Sequence, residues 1–345
     1  MHDAASDWEE PYAKMDNRPD GVEKIRKCLG AFPGLNMSLV PTPVHRLDTL
    51  SDEYGVNVYC KRDDLTGFGF GGNKTRKLDF LVADALELGC DTLLAIGANQ
   101  SNFCRMTAAY GAATGMDVHL VLGGKDSANP TGNLRLDHLL AAVCHHVESS
   151  DWDSWACEAE RIEKTLTARG RKVYRMPVGG STSRGAMGYV SAFAEILTDQ
   201  SRLGVQFDTI LHASSSAGTQ AGLVAGQGVS QWPGRVIGIS VAKPRAEQEK
   251  DVLDLARATA AEIGTSVAPS SVVVDDDYLG AGYADRTSGC EAAVALFAQR
   301  LGIFLDYVYS GKAAAALIDY LRQGRFAKGA NVLFIHTGGN IELFE

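Results

Sequence analysis

The 345-residue chain predicts an α/β fold of open parallel sheets, and three observations carry that expectation. Short β-branched runs alternate with helical patterns from end to end, as βα units stacked on parallel sheets do. Paired glycines follow several of those runs, where open α/β sheets turn tightly and leave room for a ligand beyond the strand ends. A composition 45% hydrophobic supplies a large core, and the length fits one large domain or two lobes.

Taken in order, residues 1–20 carry charges, Pro11 and Pro19 without periodicity, and predict an arm that is mobile or lies on a neighbouring subunit. Strands are expected at Val56 to Cys60, Thr92 to Ile96, Val118 to Leu122, Val173 to Met176, Thr209 to Ala213, Val236 to Val241, Val272 to Val274 and Val332 to His336. A helix follows Lys74, because Leu78, Leu81, Val82, Ala85 and Leu86 recur at helical spacing until Gly89. Further helices are expected over Phe103 to Ala113, Asn133 to Ala142, Trp155 to Ala168, Arg184 to Leu197, Gln248 to Ile263, Cys290 to Leu301 and Lys312 to Gln323. Gly71-Gly72, Gly123-Gly124, Gly179-Gly180, Gly338-Gly339 and the turn from Ser214 to Gly222 outline a candidate site.

The formal charge of −9 and an isoelectric point near 5.4 argue against nucleic-acid and acidic-membrane partners, either of which needs a basic face. Seven unpaired-looking cysteines fit buried free thiols in a reducing compartment. The polar N-terminus lacks the build of a secretory signal, and no apolar run approaches a membrane span. A cytoplasmic protein is expected. His145 and His146 point to different faces with no third ligand spaced near them, so no metal is expected.

The stretch Lys61 to Leu78 holds two imperfect phosphate motifs. Gly67, Gly69 and Gly72 make a formal G-x-G-x-x-G, and Asn73 spoils a G-x-x-x-x-G-K-[ST] by one residue. A nucleotide-binding enzyme using Gly67 to Thr75 is therefore the rival from another class. A lysine at a helix start is disfavoured by the macrodipole, and Arg76 and Lys77 add repulsion. The same forces lower the pKa of Lys74, as a Schiff-base lysine requires. Asn99, Gln100, Ser101 and Asn102 join a strand to a helix and suit a substrate carboxylate, although Ser101 or Asn102 could equally be an ordinary cap. Ser215, Ser216, Ala217, Gly218 and Thr219, where an apolar helix starts at once, would cradle a phosphate without lysine. Tyr309 and Ser310 put a phenol and a hydroxyl just before another helix.

At these residues the sequence resembles the tryptophan-synthase-β-like, fold type II pyridoxal-phosphate enzymes. More narrowly, it resembles the branch containing 1-aminocyclopropane-1-carboxylate (ACC) deaminase, D-cysteine desulfhydrase and L-cysteate sulfo-lyase. The carrying motifs are Pro41-Thr42-Pro43, Lys61 to Asp64, Gly71 to Lys77, Gln100-Ser101-Asn102, Ala217 to Gly222 and Val308 to Lys312. The resemblance implies two lobes of three-layer open sheets, a large pyridoxal-phosphate domain from residues 21–83 and 188–345 and a small one from 84–187, and a homodimer.

It also implies roles. Lys74 would bind the cofactor as a Schiff base, Asn102 would contact its ring hydroxyl, and Ser215 to Thr219 would hold its phosphate. Ser101, with Asn99, Gln100 and Asn102, would hold the substrate carboxylate, and Tyr283 and Tyr309 would guide proton transfer or the leaving group. Ser310 would face the ring nitrogen where ACC deaminase carries a carboxylate, which favours β-elimination over ring opening. Thr337 agrees with the desulfhydrase-like members. The expected reaction takes a small sulfur amino acid to pyruvate and ammonia with release of sulfide. Sulfite release, ACC deamination and a catalytically silent binder stand as alternatives. Lys243 to Glu249 and the Tyr309-Ser310 pair look like the sulfo-lyase, Gly179-Gly180-Ser181 is shared with the desulfhydrase, and Phe103 to Met106 and Asn340 to Phe344 depart from the branch.

Overall fold

The computed structural model describes residues 20–345, so all but the last residue of the expected N-terminal arm lies outside the described residues. The chain runs α1 (Asp20–Leu29), β1 (Val44–Arg46), α2 (Asp48–Tyr54), β2 (Asn57–Arg62), α3 (Asn73–Glu87), β3 (Thr92–Ala98), α4 (Asn102–Thr114), β4 (Asp117–Gly123), α5 (Gly132–Leu139) and β5 (Val143–Val147). It continues with α6 (Trp152–Ala168), β6 (Val173–Met176), α7 (Ser183–Leu203), β7 (Thr209–Ser214), α8 (Gly218–Ser230), β8 (Arg235–Ser240), α9 (Arg245–Glu262), β9 (Val273–Asp275), α10 (Ser288–Leu301), α11 (Ser310–Arg322) and β10 (Asn331–His336).

Two sheets result. One has six strands in the order β1-β2-β10-β7-β8-β9, parallel except for the antiparallel edge strand β1. The other has four parallel strands in the order β5-β4-β3-β6. Parallel strands are covered on both faces and so read as continuous apolar runs; β7 is buried at all six positions. One core cluster joins α1, α7, α8 and α9 to one face of the large sheet, and a second joins α2, α10 and α11 to the other. The small sheet packs on α3 and α4 on one side and α6 on the other.

Every expected strand and helix forms, with some changed bounds and four additions. In α1, Val22 and Ile25 are buried one turn apart, with acidic residues in the first turn and basic ones in the last. The short α2 and β1 carry too few residues for a periodic signal. Strand β5 escapes sequence reading because Val143, Cys144, His145, His146 and Val147 are edge residues, none fully buried, held by pairing with β4. Helix α5 stops at Leu139 rather than reaching Ala142, since Ala141 takes a positive φ of 57° and Leu139 faces solvent. Helix α7 outlasts its apolar period at Leu197 because Asp199, on the next turn, is paired with buried Lys61 at 3.0 Å. In α3, Leu78, Leu81, Val82 and Ala85 are fully buried, but Leu86 is 40% exposed, so the apolar stripe is narrower than its spacing implied. The seven cysteines are free; Cys60, Cys104 and Cys290 are buried, Cys28, Cys90 and Cys144 are half-buried, and Cys157 is exposed.

The charged run after β2 is structural. Arg76 binds Asp63 at 2.9 Å and Glu195 at 2.6 Å, and Lys61 binds Glu195 at 3.1 Å, all buried or nearly so. Burial works against the Asp63 and Glu195 carboxylates, but the Arg76 guanidinium outweighs it and holds both below their ordinary range.

Candidate active site

The strand ends of both sheets open onto one cleft. It is lined by Lys74, Ser101, Asn102, the Ser214 to Thr219 turn, Tyr283, Tyr309 and Thr337, together with Trp152 and Trp155.

Lys74 sits in the first turn of α3, and the loop before it is fixed from several sides. A side chain at Gly71 would stand 2.4 Å from the Asp64 carbonyl, and its φ of 72° also favours glycine. The Gly72 amide donates to Thr66 Oγ1 at 2.8 Å, the Asn73 amide to the Thr337 carbonyl at 2.9 Å, and Asn73 Nδ2 to Thr219 Oγ1 at 3.0 Å. The helix start is thereby tied to the exits of β10 and β7. The Gly67 to Gly72 loop spends its amides on itself: Phe68 donates to Thr66, Gly71 to Phe68 and Gly72 to Asp63.

Burial pushes the Lys74 amine down from 10.5 to about 8, and a contact with Lys77 opposes that shift. Lys77, 1% exposed, is driven lower still by burial and by Lys74, and donates to the Gly179 carbonyl at 3.2 Å. The depression expected from sequence is present, but its cause is desolvation. Arg76 is neutralised by Asp63 and Glu195 and adds no repulsion.

Between β7 and α8, Ala217 takes a φ of 68° and turns the chain so that the α8 N-terminus faces the cleft. The Gly218 amide donates to the Ser216 carbonyl at 2.9 Å, which leaves the Thr219 and Gln220 amides of the first turn for an anion. A Cβ on Gly218 would lie 2.7 Å from Lys77 Nζ, which places a lysine under this turn where the sequence reading expects none. Ser181 Oγ donates to Ser216 Oγ at 2.9 Å.

After β3, Ser101 and Asn102 line the cleft, and Ser101 caps α4 by accepting from the Cys104 amide. The side chains of Asn99 and Gln100 are engaged elsewhere: Asn99 donates to the Lys125 carbonyl at 2.6 Å, and Gln100 accepts from the Asn133 amide at 2.7 Å. Arg105 Nη1 and Asn133 Nδ2 both donate to Asn102 Oδ1 at 3.2 Å. An oxygen held by two donors leaves the Asn102 NH₂ as the group available to a ligand. Arg105 is buried in α4, and its part here is hidden in the sequence because an arginine in a helix ordinarily reads as surface.

Tyr283 and Tyr309 meet hydroxyl to hydroxyl at 2.5 Å. Burial pushes Tyr283 up to about 12 and Tyr309 well above its usual range, so both are neutral phenols. Lys312 fixes the loop before Tyr283 by donating to the carbonyls of Leu279 and Gly282. Ser310 does not line the cleft. It is fully buried behind Tyr309, and its hydroxyl donates to Asp306 Oδ1 while accepting from the Asp306 amide at 3.0 Å. Asp306 also accepts from the amides of Val308, Tyr309 and Ser310 and so caps α11. The aspartate escapes sequence reading because capping here runs through backbone contacts, and Trp152 and Trp155 escape it because aromatic residues at helical spacing look like core.

Residues 35–338 match the family described as pyridoxal-phosphate dependent enzyme. The chain belongs to that family. It is similar to D-cysteine desulfhydrase of Klebsiella pneumoniae strain 342, at 39% identity over 319 residues covering 92% of this chain and 97% of the relative. It is also similar to a putative 1-aminocyclopropane-1-carboxylate deaminase of Pyrococcus furiosus, at 37% identity covering 92% and 94%. A solved ACC deaminase homologue superposes with a TM-score of 0.86 at 36% identity, covering 93% of this chain and 96% of that one. The processed form of threonine deaminase isoform 2 from Solanum lycopersicum, at 16% identity and a TM-score of 0.65 over 94% of this chain and 87% of that one, shares the fold alone.

The cleft fits pyridoxal phosphate: a lysine of lowered pKa, a helix N-terminus with a second lysine under it, and an amide donor on a third wall. None of four other cavities among the described residues brings these three together.

Proposed function

We propose that this pyridoxal-phosphate enzyme is a carbon–sulfur lyase of the D-cysteine desulfhydrase kind, eliminating sulfide and leaving pyruvate and ammonia. The observation that carries the reading is Lys74, an amine brought to about 8 by burial at the floor of a cleft with an anion cradle and a tyrosine pair. The full-length likeness to desulfhydrases supports the choice of sulfur substrate.

Ser101 and the α4 N-terminus orient the substrate carboxylate by backbone and hydroxyl donors. The cofactor, when bound, supplies the electron sink that makes the substrate's Cα proton removable. Lys74 Nζ, half neutral near pH 8, takes that proton. The Tyr283–Tyr309 pair, protonated throughout the neutral range, stands ready to give a proton to the departing sulfur. Trp152 and Trp155 wall the cleft and limit water. Ser310, Ser215 to Thr219 and Thr337 are proposed to hold the ring and phosphate. Ser310 reaches that task with its proton committed to Asp306, so what it can offer is a lone pair.

The same reading assigns a small domain to 84–187 and a large one to 21–83 and 188–345, which the segregation of β3 to β6 into their own sheet supports. Among the described residues no helix is long and apolar enough to cross a membrane. We infer a cytoplasmic homodimer; the free thiols support the compartment, and exposed Leu39, Val40 and Phe70 on adjoining loops offer apolar surface to a second copy.

The test is a substrate panel on the purified holoenzyme: D- and L-cysteine, D- and L-cysteate, β-chloroalanine and 1-aminocyclopropane-1-carboxylate, assayed for pyruvate, 2-oxobutyrate, sulfide and sulfite. D-Cysteine should give equal pyruvate and sulfide as the best natural substrate. Sulfite from cysteate, or 2-oxobutyrate from the cyclopropane, as the dominant product would overturn the assignment.

A further inference from the structure

On the small sheet, away from the cofactor cleft, three side chains converge that the chain order keeps apart. Asp126 follows β4, His138 ends α5 and His146 lies on β5, and one ligand atom from each falls within 4.8 Å of the others. His145, its neighbour on β5, points to the opposite face and is already engaged by His119 at 2.9 Å. The expectation that His146 has no third ligand near it therefore holds along the chain but not in the fold.

The hydrogen bonding around His146 says what this cluster lacks. Asn99 gives its Nδ2 to the Lys125 carbonyl at 2.6 Å, so its Oδ1 is the atom facing His146 Nδ1 at 3.1 Å. An amide oxygen only accepts, so Nδ1 carries a proton and Nε2 is the ring atom turned to the cluster. His146 Nε2 lies 3.3 Å from Asp126 Oδ1, with His138 as the third candidate ligand. Two imidazoles and a carboxylate converging in this way suit a cation between them. The 3.3 Å separation matches the edge of a tetrahedron with metal–ligand bonds of about 2.1 Å, which is about 3.4 Å. A ligating histidine that hands its other N–H to a carbonyl is also the usual arrangement around bound zinc.

We propose that Asp126, His138 and His146 form a binding site for a divalent first-row transition cation, with Zn²⁺ as the best match to two imidazoles and one carboxylate. Asp126 and His138 are exposed, so water completes the coordination and the ion exchanges with solvent. The site also reaches the cleft: His146 holds Asn99, and three residues later Asn102 begins α4 on the cleft wall. A bound ion fixes Asn99 and with it the loop that carries Ser101.

The test uses chelator-treated holoenzyme and Zn²⁺ alone, with no substrate, so its result is independent of the substrate assignment. Competition against a zinc indicator should give one saturable ion per chain. His138→Ala and Asp126→Asn should each weaken binding at least about tenfold, and Asn99→Ala about tenfold through the lost partner of His146. The His138 and Asp126 variants should keep the cofactor absorbance and their turnover in chelator. Failure to bind Zn²⁺ below about 100 µM at neutral pH would mean that His146 and Asp126 form a surface ion pair only and would overturn the site. Stoichiometric binding unchanged by both variants would overturn it as well, by assigning the ion to His119 and His145 or to exposed Cys157.

Discussion

Lys74 and Lys77 stand one turn apart at the start of α3 with their amines in contact, and among the described residues neither forms a salt bridge. Two ammonium groups cannot both persist in a buried place without a carboxylate. Burial lowers both amines and brings Lys74 close to the neutral form that attacks an aldehyde.

The first consequence is a pH dependence. The folded pKa of Lys74 is lowered, so the reactive neutral amine grows as pH rises through about 8 and is nearly complete above it. The rate at which apoenzyme captures pyridoxal phosphate, followed by stopped-flow absorbance, should climb with pH and level off near pH 8 to 9. A rate still rising steeply at pH 10 would mean an ordinary, solvated lysine.

Lys77 lies under the turn that starts α8, where a phosphate dianion would restore its charge. Lys77→Met removes a charge-assisted hydrogen bond of about 1.5–3 kcal/mol and should weaken cofactor binding by about 10- to 100-fold. Equilibrium dialysis of the folded variant measures this. Affinity equal to that of the unaltered chain would show that the phosphate sits elsewhere.

The tyrosine pair separates chemistry from binding. Tyr309→Phe leaves Tyr283 without its 2.5 Å partner and should slow sulfide release from D-cysteine by about 100-fold or more, the scale of a lost general acid. Chloride needs no proton to leave, so β-chloroalanine should be much less affected. Equal losses on both substrates would argue for a packing role.

Arg76 is predicted to matter for stability and not for chemistry. Arg76→Met leaves buried Asp63 without its cation and Glu195 with Lys61 alone, and should cost about 3–5 kcal/mol in urea unfolding with the cofactor spectrum unchanged. The two carboxylates have lowered folded pKa values. Their contribution in the unaltered chain is therefore present above the unfolded carboxylate range and is lost as pH falls through the folded values, below about pH 4. The variant should show a flatter acid limb.

Much of this is legible in the sequence because it is local. Strands β7 and β10 are unbroken apolar runs, and the glycine turns after them are visible in composition, so the strand ends and the candidate cleft can be placed together. What escapes depends on contacts between distant segments. Asp306 behind Ser310, Arg105 behind Asn102 and Asp126 beside His146 each acquire meaning from a partner that spacing alone does not reveal. The lowered pKa of Lys74 is legible too, but its source is burial and not Arg76, whose charge the fold spends on two carboxylates.

The central claim is that Lys74 carries the cofactor. Holoenzyme should be yellow with a band near about 420 nm that borohydride abolishes, and peptide mass spectrometry of the reduced protein should find the pyridoxyl group on Lys74. Lys74→Ala should fold but lose both the band and turnover. Reduced cofactor mapped to Lys77 or any other lysine, or no covalent adduct in cofactor-saturated protein, would contradict the account.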